Sequence, residues 1–541
     1  MEHATNPYLR IENERHVITD EGYAALRAVV TDPTGQVYAF TKEISPVIVA
    51  AAMARLSRRS GDMRVALLDE FLVSGDTEAE ALIERVVTGY GDDSVQQLIG
   101  IQFVVEGASN LLTKLLEWGR FASYLEQSTR YIYFDQKDSE GKYLYYTPSL
   151  PAKIKAEYTT TIDTIFDLYS SMVRELTTYL RTKHLEPTDK KERIAWINST
   201  RATACDAVRA VLPVATKSTV GIFASSQAVE SLVTHLLSEP LGEAQEVGRL
   251  ILEQARVVVP SFLKRVDMPE RGGATTAFRA TTRAKMRDLA HTYLDFSKAS
   301  EASMDVHLTD YWPREELDLV PDMLFEQSEP LSYTEITSQV KEWPQDHKEE
   351  VFNHYMGTRL NRRHRPGRAA EKAHFEWEID GKDYGTFRDL QRHRVVDAWE
   401  WQRLSPHFGF EIPELVAEAG FTDTYSQCFE LSAKLHETLI KAGFELEAQY
   451  ATLLGHRMRY RFIMNLRALF HFLELRTGPD GHPGYRKICN TMYDLLAKVY
   501  PLSAKAMRFV NKREDPELTR QSAELATQFK LEKLDASQDE I

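Results

Sequence analysis

Between residues 115 and 134 the chain reads "LLEWGRFASYLEQSTRYIYF", which sets Arg120, Glu126, Ser128 and Arg130 among aromatic and aliphatic residues. Guanidinium groups held in apolar surroundings suit an anion, because the planar fork meets phosphate or carboxylate oxygens in pairs. A second arginine-bearing stretch, "QRHRVVDAWEWQRLS" (391–405), lies in the C-terminal half, and "NLRALFHFLELR" (465–476) carries Arg467, His471 and Arg476. At about 100° per residue, Leu466, Leu469, Phe470 and Leu473 form one apolar stripe. Arg467 and His471 then share one flank, with Asn465 and Arg476 on the other.

Each group also has a plain structural explanation. Arg467 and His471 alone suit a solvated helix face, and Ser128 with Arg130 suits a helix terminus. Trp399 and Trp401 read as core or interface. The basic run "RRHRPGR" (362–368), with its His364, reads as an exposed turn, and His456 in "GHRMRYRF" (455–462) as surface charge.

These residues must be held by helices for the most part. Apolar residues at three- and four-residue spacing predict helices over 94–117, 151–183, 190–211, 241–259, 423–443, 459–476 and 485–499. Alternation predicts strands at "QVYAF" (36–40) and a hairpin over 374–387 turning at Asp380-Gly381. The fold class is α+β, helix-dominated. "DMPERGGATTAF" (267–278) reads as a linker at the midpoint. The two halves, 1–270 and 276–541, then compare as a faint repeat: each has an arginine-bearing stretch and closes on an aliphatic–Pro step, "ARVVVPSF" (255–262) and "LAKVYPLS" (496–503).

The bulk properties set limits. The 541 residues exceed one ordinary core, and 43% hydrophobic with 27% charged residues is the balance of a globular protein. No apolar run approaches the roughly 18 residues of a membrane span, and the N-terminus "MEHATNPYLRIENERH" is polar, so no membrane partner and a cytoplasmic location are expected. Cys205, Cys428 and Cys489 lie far apart without metal-ligand spacing, so no metal site is expected. A net charge of -14 argues against a nucleic-acid partner.

The first stretch resembles the signature of the flavin-dependent thymidylate synthases (the ThyX family), which runs Arg-His-Arg, seven residues, then Ser-any-Arg-Tyr. Arg120, Ser123, Glu126, Ser128, Arg130 and Tyr131 match, whereas Trp118 and Gly119 replace the leading Arg-His. The second half shows the reverse. Arg392-His393-Arg394 restores the front and Glu400 the glutamate, but Gln402 and Leu404 stand where Ser and Arg belong. Asn465, Arg467 and Arg476, with His471, resemble a further family helix, whose N-terminal counterpart is "AVESLVTHLLSE" (228–239). "VRAVLP" (208–213) keeps the family's Arg-any-any-Leu-Pro at Arg209, where the other half has Gln449. "GRAAEKAH" (367–374) retains Gly367 and His374 of an eroded histidine element.

The resemblance implies two tandem flavin-dependent thymidylate synthase-like domains that share one nucleotide site. Ser128, Arg130 and Arg209 come from the first half, together with Glu126 and Gln127; Arg392 and Arg476 come from the second. It implies a flavin side of His374, Arg392, His393, Arg394, Asn465, Arg467 and His471. The mirror site would need Trp118, Gly119, Glu230 and Glu239 to act as arginines or histidines, which they cannot. Arg476, Ser128 and Arg130 would serve the reaction itself, Ser128 by binding rather than by nucleophilic attack. By resemblance the substrate is dUMP, the cofactor FAD, the co-substrates NADPH and methylenetetrahydrofolate, and the assembly a homodimer forming a pseudo-tetramer. A non-catalytic nucleotide-binding or scaffold protein and an RNA-binding protein are the alternatives. The role of the 137–190 insert is left open.

Overall fold

The structure, a computed structural model, describes residues 6–13, 15–56, 62–72, 76–89, 93–513, 518 and 521–538. Residues 1–5 and 14 of the polar N-terminal stretch lie outside the described residues. The fold is α+β and helix-dominated.

The chain forms two compact units, Met1–Ala108 with Leu115–Glu126 and Thr219–Ser297, and Ser109–Lys114 with Gln127–Ser218 and Lys298–Ile541. Compactness and repetition are separate properties here. The second unit takes in residues 127–218, which precede the repeat boundary expected at 270–276.

In the first unit β1 (Leu9–Glu12) pairs with β2 (Arg15–Ile18), and β3 (Gly100–Ser109), β4 (Ala122–Glu126) and β5 (Lys217–Ser225) form a sheet in the order β3-β5-β4. In the second unit β6 (Val306–Trp312), β7 (His374–Asp383), β8 (Ala398–Trp401) and β9 (Arg457–Asn465) form an antiparallel sheet in the order β6-β7-β9-β8. The helices that position the residues of interest are α1 (Ala152–Lys183), α2 (Lys190–Val208), α3 (Ser226–Ser238), α4 (Gly272–Tyr293), α5 (Tyr384–Gln391), α6 (Leu466–Arg476) and α7 (Pro483–Val499).

The repeat is explicit in this order. A long strand, β3 or β7, runs into a helix, and a short strand, β4 or β8, follows. The central strand, β5 or β9, then passes without a break into α3 or α6. Both central strands end on a capping side chain: Ser225 accepts from the Ala228 N–H at 3.2 Å and Asn465 from the Ala468 N–H at 2.8 Å. Before the closing prolines, Val259 (φ -138°, ψ 63°) and Tyr500 (φ -129°, ψ 70°) share one conformation.

The caps also correct an alignment. With Ser225 matched to Asn465, the counterparts of Arg467, His471 and Arg476 are Gln227, Ser231 and Leu236, not Glu230 and Glu239. A helical apolar pattern tolerates a slip of nearly one turn, and the cap removes that freedom. The mirror position of Arg476 is therefore a fully buried leucine.

Inside the second unit the two runs meet about a local two-fold. Val214 N–H donates to the Thr452 carbonyl at 2.8 Å and Leu454 N–H to the Leu212 carbonyl at 2.9 Å, with Pro213 opposite Leu453. Asn110 N–H to the Thr216 carbonyl and Tyr384 N–H to the His456 carbonyl, at 3.0 and 3.1 Å, are another matched pair.

Several expectations are corrected. Of 94–117 only Asn110–Leu116 is α-helix, because "GIQFVVEGAS" alternates as β3. Residues 457–465 are likewise strand: Met458, Tyr460, Phe462 and Met464 are buried on one face, and the intervening arginines lie on the other. Residues 36–40 form no strand beyond a Val30–Phe40 bridge. Asp380-Gly381 is no hairpin turn but a bulge within β7, with Gly381 at φ +73° and a Cβ there colliding with Met304 and Ala302. The expected linker is helical from Gly272 onward. His456 is buried, and its Nδ1 accepts from the Leu453 N–H at 2.8 Å.

Candidate nucleotide-binding site

Four arginines gather in the second unit. Arg130 follows Gln127 and Ser128 in a tight turn, in which Ser128 Oγ accepts from the Arg130 N–H at 3.2 Å. Arg209 opens the 3-10 turn Arg209–Val211 that ends α2, and Arg392 is the C-cap of α5. Arg476 is the last residue of α6. A carboxylate stands one turn before two of them: Asp206 before Arg209 and Asp389 before Arg392.

Arg130 grips Asp206 with two donors, Nε to Oδ1 at 2.9 Å and Nη2 to Oδ2 at 3.0 Å. Its Nη1 reaches the Tyr485 hydroxyl at 3.3 Å. Asp389 is shared: Oδ2 accepts from Arg209 at 2.9 Å and Oδ1 from Arg392 at 2.7 Å. The guanidinium groups of Arg130 and Arg476 lie 5.7 and 5.4 Å from the Tyr485 ring centroid. His393 Nε2 accepts from Arg476 Nε at 2.7 Å. His482, the N-cap of α7, accepts at Nδ1 from the Gly484 N–H and turns Nε2 to the Asp206 carbonyl at 3.4 Å.

The electrostatics follow from burial and these neighbours. Burial opposes ionisation of Asp389, but Arg209, Arg392 and Arg130 outweigh it and hold its carboxyl well below the usual range. Burial also opposes the Arg130 charge, and Asp206 with Asp389 raises it above the ordinary guanidinium range. Burial pushes Asp206 up against the pull of Arg130 and Arg209. The bidentate geometry makes it the ionised partner. Burial and adjacent arginines keep His393 and His482 neutral, well below the usual imidazole value. Burial and Arg392 also lower Arg476. Four guanidinium groups thus face Asp206, Asp389 and two neutral imidazoles, and Arg209 also acts on the buried carboxyl of Asp383.

A second group continues from this cluster. His393 and His471 meet edge to face at 5.8 Å. His374 and Asn465 are cross-strand partners of β7 and β9, and His374 Nδ1 lies 2.9 Å from Asp397 Oδ2. Arg467 donates to the Pro366 carbonyl at 2.8 Å. Burial, then Arg365 and Arg362, lowers His471 to about 4. The run 362–368 is largely exposed, as expected, but it also stands beside this helix. Arg394 is exposed.

The structure therefore brings Arg130, Arg209, Arg392 and Arg476 together, and places His374, His393, Asn465, Arg467 and His471 along β9 and α6. Gln127 is exposed, its carbonyl 3.5 Å from Ser218 Oγ. Glu126 ends β4 in the first unit. Sequence reasoning missed Asp206, Asp389, His482 and Tyr485. The recurrent Asp-any-any-Arg at 206–209 and 389–392 was an available signal; Tyr485 and His482 had none.

The basic stripe of β9 is neutralised within the fold. Arg459 pairs with Asp380 at 2.7 Å, and Arg461 pairs with Glu376 and, at 3.0 Å, with Glu400. A cavity of about 640 Å³ in the second unit shares Asp206, Arg209 and His482 with the arginine cluster. Among the described residues no group of three or more His, Cys, Asp and Glu is arranged to hold a metal ion, and no helix is long and apolar enough to cross a membrane. The three cysteines are buried free thiols, with burial pushing Cys205 and Cys428 up to about 12.

These features define a duplicated α+β protein with one guanidinium-rich cluster assembled from both repeats. The sequence profile of the thymidylate synthase complementing protein (Thy1) family matches residues 39–261 and 308–502, so the chain belongs to that family, with two family segments in tandem. Among curated relatives, a UPF0159 protein of Chlamydia pneumoniae is 31% identical over 502 residues, covering 89% of this chain and 93% of the relative. A flavin-dependent thymidylate synthase of Thermococcus kodakarensis is 33% identical over 82 residues, 15% of this chain and 31% of the relative. The solved structure of a UMP/dUMP methylase, PolB from Streptomyces cacaoi, bound with 5-Br dUMP, is 18% identical with a TM-score of 0.31, spanning 38% of this chain and 95% of that one.

Proposed function

We propose that this chain is a cytoplasmic flavin-dependent thymidylate synthase-like enzyme that methylates dUMP to dTMP, with methylenetetrahydrofolate and NADPH as co-substrates. Its domains are 1–270 and 276–541, and its assembly is a homodimer that mimics a tetramer. The observation that carries the proposal is the arginine cluster. Arg130 and Arg209 come from one repeat and Arg392 and Arg476 from the other. A nucleoside monophosphate brings close to two negative charges near neutral pH for such guanidinium groups to meet.

The repeats are complementary residue by residue. Leu404 and Gln449 stand where the first repeat has Arg130 and Arg209. Trp118 and Leu236 stand where the second has Arg392 and Arg476. One full set of guanidinium groups survives, and the other is lost.

In this reading Arg130, Arg209 and Arg392 take the phosphate, and each charge-assisted bond contributes about 1.5–3 kcal/mol. Arg476, fixed by neutral His393, faces the pyrimidine and stabilises negative charge developing at its carbonyls. Ser128 Oγ accepts from the Arg130 N–H. Ser128, with Glu126 and Gln127 next to it in the chain, then serves binding rather than nucleophilic attack.

The donors along β9 and α6 fit an FAD. Arg467, Arg394 and the exposed 362–365 turn offer cations for a pyrophosphate, and neutral His393 and His471, with His374 and Asn465, offer ring-nitrogen and amide groups. A bound flavin supplies the hydride.

A non-catalytic nucleotide-binding protein is the second reading, favoured by one observation: Asp206 and Asp389 already occupy Arg130 and Arg209. Purifying the whole chain, measuring its visible flavin absorbance and adding dUMP separates the two. Bound flavin with a dUMP-dependent spectral shift, nucleotide binding lost in Arg130→Ala and flavin lost first in Arg467→Ala, supports the enzyme. No flavin after reconstitution with excess FAD overturns it.

A further inference from the structure

The first unit contains a separate group of polar atoms without partners. His235, in the last turn of α3, is 8% exposed, and its Nε2 makes no hydrogen bond; a Glu239 oxygen lies 3.8 Å away. On α4, Thr276 Oγ1 and Arg279 Nη1 are also buried and unpartnered. Thr276, Arg279 and Arg283 recur at three- and four-residue spacing, which puts them on one helix face. Arg283 donates to the Ser238 carbonyl and to Glu239, each at 2.6 Å. The Trp118 ring lies flat on His235, with centroids 4.3 Å apart and planes 9° apart, and it remains 41% exposed.

Buried polar side chains in folded proteins nearly always find partners, and exceptions mark an absent water, ion or ligand. Here the unpartnered imidazole lies under an exposed indole, and Arg283 and Arg279 both act on it. Burial, Arg283 and Arg279 hold His235 neutral, at about 3.

We propose that Trp118, His235, Thr276, Arg279 and Arg283 form a second binding site, for an aromatic anion of the nucleoside phosphate type. The indole stacks on the base, Arg279 and Thr276 take the phosphate, and His235 Nε2 bonds a polar edge. The site is no copy of the arginine cluster. It draws on α4, and Trp118 stands at the position that Arg392 occupies in the other repeat.

The test is equilibrium dialysis of the full-length protein with adenosine 5′-monophosphate, and with inorganic phosphate as a control. Saturable binding of the nucleotide is expected, weakened about tenfold or more in Arg279→Ala and in Trp118→Ala, and retained in Arg130→Ala. Thr276→Val supplies a variant that preserves the helix, and thermal midpoints confirm that each protein is folded. Three results would overturn the proposal: no saturable binding, binding unchanged in folded Arg279→Ala and Thr276→Val, or binding lost with Arg130 instead. Phosphate binding as tightly as the nucleotide, with indifference to Trp118→Ala, would also overturn it.

Discussion

Arg209 and Arg392 hold opposite oxygens of one carboxylate, Asp389, at 2.9 and 2.7 Å, and they come from different repeats of the chain. A single side chain thereby sets the spacing of two guanidinium groups that lie 183 positions apart in the chain.

Arg130→Ala leaves Asp206 buried without its bidentate partner. Breaking a buried ion pair from one side costs about 3–5 kcal/mol, so the urea midpoint should fall markedly. Asp206→Asn, which removes the stranded charge in the double variant, should recover part of that loss. Equal stability of wild type and Arg130→Ala would show that the pair contributes nothing.

Asp389 gives an acid-side signature. Its folded carboxyl is held below the unfolded value near 3.8, so the folded state binds fewer protons there. That stabilisation is complete above the unfolded value and is lost as the pH falls through it toward the folded one. In urea unfolding measured as a function of pH, Asp389→Asn should lose stability at neutral pH and show a shallower decline below about pH 4.

His471 works in a higher window. Its folded value near 4 lies below the ordinary 6.5, so its neutral form favours the fold above pH 6.5, and that contribution is lost between the two values. His471→Gln should flatten the stability profile over that interval. An unchanged slope would mean that burial, with Arg365 and Arg362, does not lower its imidazole in solution.

Arg359 braces α6 through two bonds to the buried Glu474, at 2.6 and 2.5 Å. Arg359→Ala should cost about 3–5 kcal/mol. The double variant Arg359→Met with Glu474→Leu should be less damaging, because no buried charge is stranded. Chemical denaturation of the single and double variants measures that coupling.

The sequence by itself determined the fold class and the repeat, and its motif resemblance singled out Arg130, Arg209, Arg392 and Arg476, because residue type, apolar period and motif order are local properties. It also supported α1, α2 and α7 at nearly their observed bounds, where long amphipathic runs leave little choice. Strands β3 and β9 were absorbed into neighbouring helices, since a short alternating run beside a helical one satisfies both periods. The partners were decided only by tertiary structure. Asp206, Asp389, His393 and Tyr485 acquire their roles through contacts across tens to hundreds of residues, and the caps at Ser225 and Asn465 settle a register that apolar spacing leaves free by a turn. Charge balance and imidazole neutrality depend on burial and on which groups converge, and folding alone brings those groups together.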